Sequence, residues 1–296
     1  MSETYRAGTI KWDRRTQSRV DALDAQILAV LQEDHPQSVR HVFYRMTDPR
    51  LGEPVEKSDR GYRHVQSRCV KLRRAGLIPY NWIADLSRQG YFTNTYSDAG
   101  DFIRQMGGLY RADLWRDAGS RCEVWAESRS IASVMLADCK ELAVDLYPCG
   151  GFSSLSFVHA AAQFHNTSDD ERPLVVLDVG DYDPAGVLID VALQRELREH
   201  LRADIELDFK RIGINESQVV AYDLPTKPRK DGDKRSQHVT YSVEAEAMPA
   251  RDLRAILRLE VEDLLPQGAL HTAKVAEQSE RKHLNNMALM FDKGMR

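Results

Sequence analysis

From residue 121 the chain alternates short runs of β-branched and aromatic residues with longer runs of apolar residues at helical spacing, and this rhythm restricts the fold most. "RCEVWAE" (121–127), "VDLYPC" (144–149), "PLVVLDV" (173–179) and "IELDFKRIGI" (205–214) read as strands. Between and after them, "SRSIASVMLADCKELA", "SSLSFVHAAAQFH" and "PAGVLIDVALQRELREHL" read as helices. Strands separated by helices predict an α/β domain with a mostly parallel sheet covered on both faces. Such sheets bind ligands outside the carboxyl ends of their strands. Glu127, Asp178, Asp181 and Asp183 stand at or just beyond those ends. A further strand, "YSVEAEAM", and two helices, 250–265 and about 269–292, complete the pattern as a C-terminal extension.

The first part of the chain has a different pattern. Val20, Leu23, Ile27, Val30 and Leu31 share one helical face, "DHPQS" interrupts it, and Ser38 can cap a short helix, "VRHVFYRM". Ser58 can cap a third helix, "DRGYRHVQSRCVKLRRAG", which ends at Gly76 with Pro79 beyond it. Three short helices with a basic third member fit a helix-turn-helix or winged-helix module that binds DNA. The expected organisation is therefore a helical winged-helix-like domain over residues 1–116 and an α/β domain over residues 117–296.

With 296 residues, 42% of them hydrophobic, two ordinary cores are the natural expectation. No apolar run is long enough to span a membrane, and "MSETYRAGTIKWDRR" lacks the apolar middle of a signal peptide, so a cytoplasmic location is expected. Cys69, Cys122, Cys139 and Cys149 form no C-x-x-C pair and read as reduced thiols. The net charge of -4 conceals a division: residues 1–120 carry 19 Lys+Arg against 15 Asp+Glu, and residues 121–296 carry 22 against 30. A basic first part suits an anionic partner, and an acidic second part suits a cation.

The acids of "VVLDVGDYDPAGV" (175–187) admit two chemistries. Asp183, immediately before Pro184, suits a helix N-cap. Asp178, Asp181 and Glu127 are not explained by capping, and carboxylates at neighbouring strand ends repel unless a proton or cation intervenes. Oxygen-only ligands favour Mg²⁺ or Mn²⁺; strand-end acids also serve as caps and ion-pair partners.

A strand ending in Glu, a βα unit, and a strand ending in D-x-D-P-x-G resemble the TOPRIM domain. "GDYDPAG" is most similar to the form found in the A subunit of topoisomerase VI and its meiotic double-strand-break relatives. The resemblance covers residues 121 to about 212. It implies that Glu127, Asp181 and Asp183 hold Mg²⁺ (or Mn²⁺), with Asp178 behind them. Many members follow the Glu with Lys, where this chain has Ser128.

The second helix bears on the reaction. Val39, Val42, Phe43 and Met46 define its expected buried stripe, and at 100° per residue Tyr44 lies about 150° from the stripe centre. Tyr44 is thus expected to face away from the core, with Arg40 one turn earlier on nearly the same side. "RHVFY" resembles the R-x-x-Y-Y motif of the same family, with Phe43 in place of the first tyrosine and Tyr44 matching the nucleophile. The resemblance implies a homodimer in which Tyr44, aided by Arg40, attacks DNA and leaves a 5′-phosphotyrosyl link. It further implies a separate ATPase B-type subunit, for which this chain has no Walker loop.

Lys57, Arg60, Arg63, Arg68, Lys71, Arg73 and Arg74 crowd the third helix and its approach, and are expected to contact the phosphates of double-stranded DNA. Asp85 and Arg88 suit a structural pair in a stretch, 76–91, similar to one in phage and mobile-element relatives. Lys227, Arg229, Lys230, Lys234 and Arg235 lie in a polar loop that either holds DNA or is disordered. Glu244 and Glu246 are expected on the solvent face of a strand, and His159 and His165 in packing positions. The leading expectation is Mg²⁺-dependent DNA cleavage, with or without rejoining, by a nucleoid-associated protein resembling the topoisomerase VI A subunit. A metal-dependent nuclease without a covalent tyrosine is the alternative, and a non-catalytic DNA-binding module the third.

Overall fold

A computed structural model describes residues 15–85, 93–150, 155–228 and 239–294. The chain divides into two compact units, residues 1–83 and 84–296. Among the described residues, no helix is long and apolar enough to cross a membrane.

In the first unit, α1 (Gln17–Glu33) starts at Thr16, whose side chain accepts from Arg19 N, and buries Leu23, Ile27, Val30 and Leu31. Ser38 caps α2 (Val39–Met46) and Ser58 caps α3 (Asp59–Arg74), each by accepting the backbone N–H three residues on. Both caps satisfy N–H groups that the first helical turn leaves without partners. Val65, Cys69 and Leu72 of α3 point inward, and α2 packs on both α1 and α3.

The second unit is built on a four-stranded parallel sheet of order β2-β1-β3-β4, from β1 (Arg121–Ala126), β2 (Asp145–Pro148), β3 (Leu174–Val179) and β4 (Leu207–Gly213). All six residues of β3 are buried, as a central parallel strand requires. The connections are α5 (Arg129–Glu141), α6 (Leu155–Asn166) and α7 (Gly186–His200). Val158, Ala161 and Ala162 of α6 and Ile189, Leu193 and Leu197 of α7 join Trp125, Leu174 and Val176 in one core. α5 is absent from that core and packs instead against β1, β2 and α9 (Ala250–Asp263), as the right-handed rule for parallel crossovers expects.

Strand order reverses direction between β1 and β3: β1 leads by α5 to β2 on one side, while β3 leads by α7 to β4 on the other. The crevice beyond the carboxyl ends of β1 and β3 is therefore a topological switch point. After β4 come α8 (Glu216–Ala221) and a two-residue pairing of β5 (Lys227–Pro228) with β6 (Tyr241–Ser242). The strand expected over 241–248 shrinks to β6, because residues 245–247 turn into a 3₁₀ helix.

The division of the chain falls earlier than the sequence suggested. Residues 93–116 lie with the second unit because α4 (Ala99–Leu109) packs along α10 (Ala269–Gly294). Trp115 Nε1 donates to Leu142 O at 2.9 Å, and Ala112 N donates to Glu277. Leu284 of α10 lies against Gly107, where a Cβ would meet it at 3.4 Å. No hydrophobic rhythm marks these contacts, since they join separate segments of the chain, Ala112 and Glu277 standing 165 residues apart.

Candidate carboxylate site and basic helix

Glu127 follows β1 directly, and its N–H donates to Val179 O at 2.8 Å. Its Oε2 accepts from Asp181 N at 2.8 Å. That approach requires glycine at 180, because a Cβ there would lie 2.8 Å from the same oxygen. Asp181 in turn accepts through Oδ1 from Ala245 N at 2.8 Å, tying the loop after β3 to the segment after β6. Tyr182 and Val243 exchange both backbone hydrogen bonds beside it. Asp183 Oδ1 accepts from Ala185 N at 2.8 Å and Gly186 N at 2.6 Å, so the expected cap is present, one turn ahead of the first residue of α7. Gly186 is required there, since a Cβ would sit 2.1 Å from Asp181 O.

The electrostatics are those of crowded acids. Burial raises Glu127 above the ordinary carboxylate range, helped by the Asp183 charge and opposed by the Asp181 N–H and by Arg211. Burial together with Glu127, Glu246 and Glu244 pushes Asp181 up to about 8, against the pull of the Ala245 N–H. Asp178, 2% exposed, is raised by burial and by Asp190, with Arg211 opposing.

Glu127 thus lies near both Asp181 and Asp183, and two further acids stand near Asp181. Glu246 was expected on a solvent face; it is 5% exposed and accepts from Ser128 Oγ at 3.4 Å. Glu244 is half-buried and paired with Lys227. The apolar neighbours in "AEAMPA" are the signal that could have placed Glu246 inward. Arg211 and Asp190, which form an ion pair behind Asp178, carried no motif.

An all-oxygen donor set suits a hard divalent cation, and acids held above their usual range are short of positive charge. Yet Glu127, Asp181 and Asp183 each give one oxygen to backbone N–H groups. Among the described residues, no three His, Cys, Asp or Glu side chains converge as a ready ligand set. Their other carboxylate oxygens accept no hydrogen bond from a described residue. Those three oxygens are the ligands the site has to offer.

In the first unit the expectation for Tyr44 fails. The residue is 6% exposed, its ring set edge-on to Phe43 at 5.4 Å with the Lys57 ammonium 5.4 Å from its centroid. A wheel centred on one stripe assumes one covered face. α2 is only eight residues long and is covered by α1, α3 and the 53–57 crossing, where Val55 N donates to Met46 O, so His41 and Tyr44 are buried as well. Arg40 is exposed and its guanidinium lies 5.5 Å from the Tyr62 ring centroid.

The basic set on α3 divides. Arg60, Arg63, Lys71 and Arg74 are exposed and, at 100° per residue, fall within an arc of about 80°. Arg68 is instead paired with Asp24, and Arg73 donates to Tyr80 O while stacking 4.5 Å from the Tyr80 ring centroid. Lys57 is turned to Tyr44. Arg68 and Arg73 thus serve the packing of the first unit. Of the other expected sites, His165 is buried against Glu123, His159 is exposed with its ring edge-on to His200, and Asp85 is exposed. Arg88, Arg229, Lys230, Lys234 and Arg235 lie outside the described residues.

Compared with known proteins, no family model matches the chain, and neither a characterised protein nor a solved structure is significantly similar to it.

Proposed function

We propose that this protein cleaves DNA phosphodiesters with Mg²⁺ or Mn²⁺ bound by Glu127, Asp181 and Asp183. The observation that carries the reading is the crowding of Glu127 against Asp181 and Asp183 at the switch point, with Asp181 raised to about 8 by burial and by Glu127. A cation there would polarise the phosphoryl oxygen and offset the charge that builds on it. The chain's own residues prepare the place: the Asp181 N–H holds Glu127, the Ala245 N–H holds Asp181, and the Ala185 and Gly186 N–H groups hold Asp183. Arg60, Arg63, Lys71 and Arg74 would bind backbone phosphates without reading sequence. The TOPRIM and winged-helix resemblances support the same assignment.

Water is the attacking group in this reading, because the Tyr44 ring is enclosed. The second reading keeps Tyr44 as nucleophile. Its support is the Lys57 ammonium over the ring, with Arg40 one turn away, since cations beside a phenol favour the phenolate. The phenolate oxygen would form a bond to phosphorus as the 3′ oxygen leaves, giving a 5′-phosphotyrosyl link and a free 3′ hydroxyl. Two paired copies and a separate ATPase subunit belong to that reading alone.

Incubation of the purified protein with supercoiled plasmid and Mg²⁺ or Mn²⁺, quenched with denaturant, tests both. Cutting by the wild type and by Tyr44→Phe, lost in Glu127→Gln, supports hydrolysis. DNA bound covalently to protein through 5′ ends and lost in Tyr44→Phe supports the tyrosine. DNA binding without cutting leaves a non-catalytic binding module and sinks the proposal.

A further inference from the structure

We infer that Arg211 is the positioning residue of the carboxylate site, holding the loop that carries Asp181 and whose Asp181 N–H holds Glu127. The inference rests on the proposed cation site and deepens it. Arg211 pairs with Asp178 across β3 and β4, but the register slips immediately afterwards, so that Val179 faces Gly213. A bulge of this kind bends the strand and re-aims a side chain. The Arg211 guanidinium, with its side chain only 17% exposed, reaches over the end of β3. Its Nε donates to Ile214 O at 2.8 Å, and its Nη2 donates to Gly180 O at 2.9 Å and to Asp181 O at 2.6 Å. Its Nη1 is paired with Asp190 and stands 3.8 Å from Asp178.

The consequence follows from peptide planarity. Gly180 C=O and Asp181 N–H belong to one rigid peptide group. Arg211 holds the carbonyl end of that group, and the N–H end is the donor to Glu127 Oε2. The next carbonyl, Asp181 O, is held by the same Nη2. One side chain therefore sets the orientation of the peptide that aims Glu127 and of the residue that supplies the second carboxylate. Only a guanidinium has a planar fork of donors able to meet three carbonyls and a carboxylate together; a lysine ammonium cannot.

Arg211→Met, Arg211→Lys and the double variant Asp190→Asn/Arg211→Met test this by two readouts. Amide exchange at Asp181 is expected to accelerate about tenfold or more in both single variants while Leu177, inside β3, stays protected. Mn²⁺ affinity, read by electron paramagnetic resonance, is expected to fall about 10- to 100-fold, as when the groups supporting metal ligands are removed. The double variant is expected not to recover, because removing both charges leaves the carbonyls unheld. Unchanged protection at Asp181, equal loss of protection at Leu177, or recovery of Mn²⁺ affinity in the double variant would each overturn the positioning role. A wild-type protein that binds no Mn²⁺, with Asp181 still deprotected by the substitutions, overturns the cation site and leaves the role of Arg211 in the loop standing.

Discussion

At the scale of single residues, two glycines separate the cost of folding from the cost of function. A Cβ at Gly180 meets the end of the Glu127 side chain, which can swing aside, whereas a Cβ at Gly186 meets the carbonyl oxygen of Asp181, which cannot. Gly180→Ala is expected to change stability by less than about 1 kcal/mol while displacing Glu127 and abolishing cutting. Gly186→Ala is expected to cost about 1–3 kcal/mol in denaturant unfolding, in the range of overpacked sites. Asp181 makes a pH prediction. Its folded pKa, about 8, lies above its ordinary value, so its contribution to stability is complete at low pH and is lost as pH rises through the folded value. Thermal melts of the wild type are expected to fall relative to Asp181→Asn as pH climbs from about 4 to about 8. The Asn carbonyl can still accept from Ala245 N, so the comparison isolates the charge. A flat difference across that range would show that burial and the neighbouring acids do not raise Asp181.

At the scale of elements, α2 and α3 show opposite outcomes. The stripe on α2 was legible, and Val42, Phe43 and Met46 are buried, but its outer face was not, because coverage by a crossing loop leaves no trace in an eight-residue pattern. On α3 the N-cap could be read directly, and so could the abundance of cations. Which cations were spent internally could not, because Asp24 and Tyr80 reach Arg68 and Arg73 through tertiary folding. Reversal of the exposed stripe by Lys71→Glu with Arg74→Glu is expected to weaken DNA binding sharply and to lower the salt slope by about 2, near one per lost phosphate contact. Arg68→Ala is expected to act on stability instead, because it leaves Asp24 half-buried and unpaired. Fluorescence anisotropy over a salt series, beside thermal melts, separates the two effects.

At the scale of the whole chain, the strand–helix alternation was enough to expect a parallel sheet, because each run carries its own period. Its strand order was not legible, and the order is what creates the crevice between β1 and β3. The limit of the first unit was also misplaced, since α4 and residues 110–118 are held by α10, Leu142 and Arg172 from far along the chain. The fragment 84–296 is accordingly expected to fold by itself with a cooperative thermal transition, and a fragment beginning at 117 to be destabilised by the loss of α4 and of the Trp115 bond. A fragment from 117 that melts like the longer one would remove the case for placing α4 in the second unit.

The sequence by itself determined the helices of the first unit, the serine caps of α2 and α3, the four parallel strands and the candidate acids at the strand ends, because period, capping chemistry and composition are local. Only the tertiary structure decided that Tyr44 is enclosed, that Glu246 lies near Asp181, and that Arg211 grips the loop carrying Asp181. Each of these depends on which distant segment arrives beside a residue, and burial, pairing and pKa are properties of that neighbourhood.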